Sequence, residues 1–304
     1  SGLKKYKVDL SAIVSMADSG GSTGVLRDEL GVLPPGDVRQ CLVALSNSSN
    51  LMRNLMNYRF ENGNLQGHSL GNLLLSALEK VTGSFEKAVE EVGKILYIKG
   101  KVIPVTMNQV HLKMVLLNNK ILDGEGQIYA SREIDQGVDR IYLDPYPKVN
   151  PKVIQTIKEA DLIVLGPGGL YTSIIPNLLV ESVSRTILES AGKKIYIVNL
   201  MNRLGQTTNY KVSDHLNTIL PYFGNRDPFD YILVNGKEPP KDLIDLYANE
   251  GDLVQNDIDE DRVIQTDFLA PLAKEKKADL MKRSLIRHDC SKLAKEIMNI
   301  VDNL

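Results

Sequence analysis

The sequence has no apolar stretch close to the roughly 20 residues that a membrane-spanning helix requires, and no excess of charge of either sign. Thirty-six lysines and arginines oppose 38 aspartates and glutamates among 304 residues. No basic tract is present that could bind the phosphates of a nucleic acid. We therefore expect neither membrane insertion nor nucleic-acid binding. With 43% hydrophobic and 24% charged residues, the composition is typical of a globular protein.

Cysteine is scarce. Cys41 and Cys290 lie far apart without a CxxC pair, which gives no zinc spacing and fits a reducing compartment. After Ser1 come lysines and a short apolar run from Leu10 to Ala17, but no small-residue cleavage site, so we expect no secretion signal. These features predict a cytoplasmic protein whose thiols remain reduced and take no part in chemistry.

The order of apolar segments predicts a doubly wound α/β fold in one domain. The run DLSAIVSMA resembles a buried strand, and helices follow over about residues 37–98. Over about residues 101–143 the segments KVIPVTM, HLKMVLL, GQIYA and DRIYLD predict a small antiparallel insertion. From Pro151 the strands ADLIVLG, KKIYIVNL and FDYILVN alternate with helices, one of them over about residues 173–190. Such alternation is typical of a mainly parallel sheet covered on both faces. The charged stretch 274–283 is interpreted as a solvated helix surface.

Ligands of open α/β sheets bind beyond the carboxyl ends of the strands, and the strand DLIVLG runs directly into GPGGLYTS. Small residues let backbone N–H groups approach an anion, and hydroxyl groups favour negative charge there. The loop is neither a Walker A nor a GxGxxG motif. It predicts a phosphate or diphosphate site, with a ligand-free tight turn as the alternative. The residues concerned are Gly166, Gly168, Gly169, Thr172 and Ser173.

A second glycine-rich loop, ADSGGSTGVLRDEL, follows the first strand. Its Asp18 can hold a metal or an acceptor hydroxyl, and Arg27 can neutralise developing charge. Phosphate contacts are expected from Gly20, Gly21, Ser22 and Thr23. A merely flexible loop is the alternative.

Three further segments supply polar candidates. In VNLMNRLGQT, Asn199 and Asn202 follow a buried strand and can bind a base or sugar, or serve a turn. In GHSLGNLLL, His68 and Asn72 are four residues apart and so are expected on one helix face, as ligand contacts or as part of a helix cap.

In LIRHD, Arg287 and His288 can bring positive charge to a phosphate or cap the last helix. No nucleophile and base pair is apparent, and neither HExxH nor GxSxG occurs. Hydrolysis by those mechanisms is not expected.

Taken together, ADSGGSTGVLRDELGVLPPGDVRQCLVALS, GHSLGNLLLSAL, LGPGGLYTSIIPNLLV and LIRHD resemble the YvcK-type gluconeogenesis factors of the 2-phospho-L-lactate transferase (CofD-like) superfamily. The resemblance implies a Rossmann-like nucleotide-binding core. It also implies one of two activities. The transferase branch moves a phospholactyl group from a guanosine-linked donor with a divalent metal, whereas the YvcK branch is associated with UDP-sugars, carbon metabolism and cell-wall morphogenesis.

The sequence departs from the family pattern at several positions. Ser19 stands where the family's ADDGGSSGRLR has an acid, Val25 where it has arginine, and Gly169 where serine is common; NRLGQT replaces TQPGET. The family also opens with a strand and a GGGTG loop ahead of the segment that matches GLKKY. We expect such an element to precede Ser1 in the native protein.

The loss of an acid beside Asp18 favours binding over metal-dependent transfer. The leading hypothesis is a cytoplasmic regulatory protein that binds a UDP-sugar without turning it over. The alternative is a phosphotransferase that uses Mg²⁺ at Asp18, and a third option is an interaction scaffold. No cofactor is expected outside the transferase alternative. A homodimer and cell-wall synthesis proteins are the partners considered; the sequence identifies neither the sugar nor the oligomeric state.

Overall fold

Parallel strands form two sheets in the computed structural model, which describes residues 1–271 and 286–303. One sheet pairs β1 (Ser11–Val14) with β2 (Lys101–Pro104). The other has four strands in sequential order, all parallel. They are β6 (Leu162–Leu165), β7 (Lys193–Ile197), β8 (Tyr231–Asn235) and β9 (Val263–Thr266). The charged stretch 274–283 lies outside the described residues.

The larger sheet is covered on both faces, as the alternation of side chains along β7 shows. Ile195 and Ile197 pack in one apolar cluster with Leu293 and Ile297 of the last helix, α12 (Cys290–Val301). Tyr196, between them, packs in the main core instead. Successive side chains of a strand point to opposite faces. The predicted Rossmann-like α/β fold is therefore confirmed.

The helical segment follows β1 and contains the main core's largest helices. Ser69 and Ser84 accept hydrogen bonds from the backbone N–H groups of Asn72 and Lys87, which caps two of the helices; such caps satisfy N–H groups that lack a partner within the helix. The helices of this segment are α1 (Gly21–Leu30), α2 (Gly36–Leu45), α3 (Asn50–Asn57), α4 (Leu70–Thr82) and α5 (Phe85–Ile95).

The antiparallel unit is smaller than predicted. It consists of β3 (His111–Leu116) between β4 (Ile121–Asp123) and β5 (Val138–Asp144). The segment KVIPVTM was assigned to the wrong sheet, because β2 pairs parallel with β1. The segment GQIYA is not a strand; it lies in the short helix α6 (Glu125–Ala130), whose Ile128 is fully buried. Short apolar runs do not specify pairing direction or distinguish strand from buried helix.

The single helix predicted over residues 173–190 is interrupted. A five-residue π-helical segment at Leu170–Ile174 leads into α8 (Ile175–Leu178), and α9 (Val183–Glu189) begins after Ser182, whose φ is +64°. Three further helices complete the described part of the chain: α7 (Pro151–Glu159), α10 (Val212–Ile219) and α11 (Lys241–Tyr247). No helix among the described residues has the length and apolarity to cross a membrane.

Candidate functional site

The three loops predicted to carry chemistry converge on α6. The loop after β1 reaches it through Asp18, whose carboxyl group is hydrogen-bonded to that of Glu125. The segment that follows the β6 loop packs against α6. The loop after β7 reaches it through Gln206, whose Nε2 donates to the carbonyl oxygens of Ile128 and Tyr129 at 2.9 Å each. Loops after parallel strands thus surround one short helix that the sequence did not predict.

The backbone conformation of the β6 loop depends on Gly166 and Asn199. Gly166 has φ +78°, and a Cβ there would lie 2.7 Å from the Ile197 carbonyl oxygen, so only glycine fits without strain. The Asn199 side-chain amide forms hydrogen bonds with both backbone polar groups of Gly168. Its Oδ1 accepts from the Gly168 N–H at 3.2 Å, and its Nδ2 donates to the Gly168 carbonyl oxygen at 2.9 Å.

These two bonds change the role expected of Asn199. Its amide positions the loop and does not point free toward a base or sugar, and the Gly168 N–H is already bonded. Within the described residues, the Gly169 N–H and the Ser173 hydroxyl form no hydrogen bond. Gly169 is exposed and Ser173 half-buried, whereas Thr172 is buried. Gly169 and Ser173 are therefore the groups best placed to meet an anion.

The β1 loop ends sooner than predicted, because α1 begins at Gly21 and includes Ser22 and Thr23 in its first turn. Asp18 Oδ1 accepts from the Gly20 N–H at 2.8 Å. Its other oxygen lies against Gly36, where a Cβ would overlap both that oxygen and the Thr23 hydroxyl. The absence of a side chain at Gly36 brings α2 close to the Asp18 carboxyl group.

Asp18 is one of three neighbouring carboxyl groups. Burial and then the Asp18 charge raise the pKa of Asp37 from 3.8 to about 6. Burial, followed by the charge of Asp18 and a hydrogen bond with it, raises the pKa of Glu125 as well. Neighbouring carboxylates resist ionising together, so burial and the nearby Asp18 charge favour the protonated form of Glu125 at neutral pH.

The interpretation of Asp18 as a lone acid was wrong. Its partners come from the first turn of α2 and from α6, distant in sequence, and Ser19 in place of an acid helps to hold one of them: the Ser19 hydroxyl accepts from the Glu125 N–H at 3.0 Å. In the sequence, the only signal for Asp37 was its place after PPG. None marked Glu125. The described residues contain no group of three or more His, Cys, Asp or Glu arranged to hold a metal ion.

Arg27 holds the β1 loop in place through hydrogen bonds to backbone carbonyl groups. It is buried, and its guanidinium donates to the Asp18 carbonyl oxygen at 3.0 Å and to the Val110 carbonyl oxygen at 2.8 Å. Both bonds go to backbone groups. The structure therefore assigns Arg27 to anchoring the loop on the antiparallel unit and not to neutralising charge on a ligand.

Ser22, His68 and Asn72 meet, although not in the predicted way. His68 lies outside α4, which begins at Leu70 after the Ser69 cap, so His68 and Asn72 do not share a helix face. Instead both contact the Ser22 hydroxyl. The His68 Nδ1 is 3.0 Å from Ser22 Oγ, and the Asn72 Nδ2 donates to it at 3.3 Å. The structure therefore contains a serine hydroxyl paired with a basic histidine nitrogen, which the sequence did not reveal.

Asn202 is a buried structural residue. Its Nδ2 donates to the Tyr210 carbonyl oxygen at 2.8 Å and to Asp252 Oδ1 at 2.7 Å. Its Oδ1 accepts from His215 Nε2 at 3.0 Å. Burial lowers the pKa of His215 to about 4, which keeps that histidine neutral. With its amide occupied on both sides, Asn202 does not contact a base or sugar as predicted.

The LIRHD segment precedes α12 as expected, but His288 does not bring positive charge. Burial lowers the pKa of its side chain, which is hydrogen-bonded to the Val198 backbone, to about 4, so the ring is neutral at physiological pH. Arg287 is exposed. The residue that caps α12 is Asp289, whose carboxylate accepts from the N–H groups of Ser291 at 2.7 Å and Lys292 at 3.0 Å.

Comparisons with known proteins agree with this architecture. Residues 1–275 match the family model described as 2-phospho-L-lactate transferase CofD. The gluconeogenesis factor of Bacillus subtilis is 39% identical over 99% of this chain and 93% of its own length. A crystal structure of a UPF0052 family protein from Bacillus halodurans superposes with a TM-score of 0.86 at 38% identity, covering 98% of this chain and 93% of that one. The chain spans 66% of the length of a relative from Clostridium acetobutylicum that is 37% identical over 99% of this chain.

Proposed function

Because the chain belongs to the CofD family, and within it to the gluconeogenesis factors, we propose that it is a regulatory protein that binds a UDP-sugar at the loops around α6. In this proposal the bound sugar nucleotide links gluconeogenic carbon metabolism to cell-wall morphogenesis in the cytoplasm. The ligand is bound and not turned over. Cell-wall synthesis proteins, or a second copy of the chain, would receive the signal.

The convergence of three loops on α6 is the observation that carries the proposal. All three follow parallel strands, β1 of the two-stranded sheet and β6 and β7 of the four-stranded sheet. Ligands of open α/β folds bind beyond the carboxyl ends of such strands. The β6 loop offers the Gly169 N–H and the Ser173 hydroxyl, which suit phosphate oxygens. The two hydrogen bonds between the Asn199 side chain and the Gly168 backbone hold this loop in place in the absence of a ligand. A preformed loop reduces the ordering cost of binding.

The carboxyl groups of Asp18, Asp37 and Glu125 favour a second candidate, a metal-dependent phosphotransferase. Oxygen donors are the ligands that Mg²⁺ prefers, and one or two carboxylates commonly suffice when substrate phosphates complete the shell. A bound Mg²⁺ would neutralise charge on the transferred phosphoryl group. For Glu125 to serve as a ligand beside Asp18, it must first lose the proton that its raised pKa favours. Asp18 would then be free to orient an acceptor hydroxyl or take its proton.

Calorimetric titration separates the ligand classes. We expect UDP-sugars to bind the protein without Mg²⁺, and guanosine nucleotides to bind more weakly. Tighter binding of guanosine nucleotides that requires Mg²⁺ would favour the transferase. The absence of binding by every nucleotide tested would contradict both and favour an interaction scaffold.

A turnover assay separates binding from catalysis. Protein, Mg²⁺ and UDP-sugar are incubated for hours, and free UDP, UMP and transferred sugar are measured. No protein-dependent product is expected. Product that disappears in Asp18→Asn but persists in Asp28→Asn, an exposed acid on α1, would overturn the binding-only proposal and support the transferase.

A further inference from the structure

A buried arginine lies behind the Ser22 and His68 pair. Arg39 is 4% exposed on α2, and its stem passes over Gly71, where a Cβ would lie 2.6 Å from Arg39 Cδ. Its Nε donates to Asn72 Oδ1 at 3.0 Å, and its Nη1 donates to Asn57 Oδ1. Arg39 therefore holds one atom of the Asn72 amide through a buried bond.

This bond fixes the direction of a chain of hydrogen bonds. A guanidinium has only donors, so the Asn72 atom that faces Arg39 is the oxygen, and Nδ2 must face Ser22. An amide nitrogen only donates, so Ser22 Oγ accepts from it at 3.3 Å. Ser22 is 9% exposed, and its remaining partner within the described residues is His68 Nδ1 at 3.0 Å. A buried hydroxyl proton is costly to leave unbonded, so Ser22 donates to His68.

We propose that Arg39 and Asn72 are positioning residues that fix the tautomer of His68, that is, which ring nitrogen carries the proton. An Nδ1 that accepts the Ser22 proton must carry a lone pair, and the neutral ring then carries its proton on Nε2. His68 is half-buried, and its Nε2 forms no hydrogen bond within the described residues. The Nε2–H is the donor that His68 presents to a phosphate oxygen of the ligand; this second step rests on the proposed nucleotide binding.

Substituting Asn72 by aspartate should reverse the direction of the hydrogen bonds from residue 72 through Ser22 to His68, while the side chain keeps nearly the same shape. A carboxylate offers acceptors on both sides, so it still accepts from Arg39 Nε but draws the Ser22 proton toward itself. Ser22 then accepts from His68, and the ring proton moves to Nδ1. Asn57→Asp is the matched control, because it places the same charge against the same guanidinium outside this chain of bonds.

Nitrogen NMR of the histidine rings reads the tautomer directly in the ligand-free protein. The spectra are recorded above about pH 8, more than one unit above the pKa of histidine in small peptides, about 6.5. We expect His68 to carry its proton on Nε2 in the wild type and in Asn57→Asp, and on Nδ1 in Asn72→Asp. His68→Gln assigns the signal. A wild-type ring protonated on Nδ1, or an Asn72→Asp ring that does not switch, would overturn the positioning roles.

Titration with inorganic pyrophosphate and with UDP tests the second step separately. We expect the His68 Nε2 resonance to shift on binding in the wild type, and at least tenfold weaker affinity in Asn72→Asp than in Asn57→Asp. An unmoved Nε2 resonance in a protein that calorimetry shows to be saturated with UDP would overturn the donor role of His68 while leaving nucleotide binding intact. Predicted tautomers without binding of UDP or pyrophosphate would support the positioning roles and contradict the proposed function.

Discussion

Substituting Asp37 by asparagine should stabilise the protein, by an amount that depends on pH. Asp37 lies half-buried in the first turn of α2, and burial together with the Asp18 charge raises its pKa from 3.8 to about 6. A carboxyl group whose pKa is higher in the folded state binds its proton more tightly there. The contribution of Asp37 to the free energy of unfolding therefore falls as pH rises from about 4 and levels off above about 7.

The size of the effect follows from the two pKa values. One pKa unit corresponds to about 1.4 kcal/mol, so the rise from 3.8 to about 6 corresponds to a cost of about 3 kcal/mol at neutral pH. Asparagine does not titrate, and it keeps the oxygen that accepts from Gln40 Nε2 at 3.2 Å. Loss of negative charge near a helix N-terminus removes about 0.3–1 kcal/mol of that gain.

Urea unfolding of the wild type and of Asp37→Asn, at several pH values between about 4 and 8, measures the difference. We expect the advantage of Asp37→Asn to grow by about 2–3 kcal/mol across this range, and the exposed control Asp28→Asn to show no such trend. If the difference in unfolding free energy between Asp37→Asn and wild type stays constant with pH, burial and Asp18 do not destabilise the ionised form of Asp37, which would refute the argument.

Three other predictions concern packing and the proposed site. Gly168→Val should weaken binding of UDP-sugar at least tenfold, about 1.4 kcal/mol, whereas Gly168→Ala, whose Cβ would lie 3.4 Å from Ser173 Cβ, should bind normally; equal affinities measured by calorimetry would remove the loop from the site. Leu42→Ala, at a fully buried position, should lower the free energy of unfolding by about 2–5 kcal/mol, and a loss under about 1 kcal/mol in urea unfolding would contradict its place in the core. The Cys41→Ala and Cys290→Ala double variant should keep its ligand affinity, because burial raises the pKa of the Cys41 thiol to about 11; lost binding with native circular dichroism would show a functional thiol.

Four of the parallel strands, β1, β6, β7 and β8, were predictable because each is a short apolar run that precedes a helix. The alternation of such strands with helices specified the fold class. In β9, Val263 and Ile264 are only half-buried, and the next two residues are exposed. This weakly apolar edge strand gave no comparable signal. The six residues of α6 were too few to show a helical period, so its role as the meeting point of three loops was not predicted.

The candidate site was predictable as a set of loops but not as a set of contacts. Asp18, Asp37 and Glu125 belong to three separate segments, and only folding brings them together. The amides of Asn199 and Asn202 follow the same strand and looked equivalent, yet the first holds a loop and the second is bonded to His215. Such roles depend on which donors and acceptors lie opposite, which a single sequence does not specify.

Chemical-shift mapping with a UDP-sugar tests most directly whether the loops around α6 form a nucleotide-sugar site. Labelled protein is titrated with UDP-sugar, and backbone amide shifts are followed. The predicted result is a set of shifts that centres on Gly169, Ser173, Ser22 and Glu125. The proposed site would be contradicted if the amides of these residues did not shift and the shifts centred instead on the groove between α5, β2 and α7. Tyr97 and Ile103 are among the residues that line this groove.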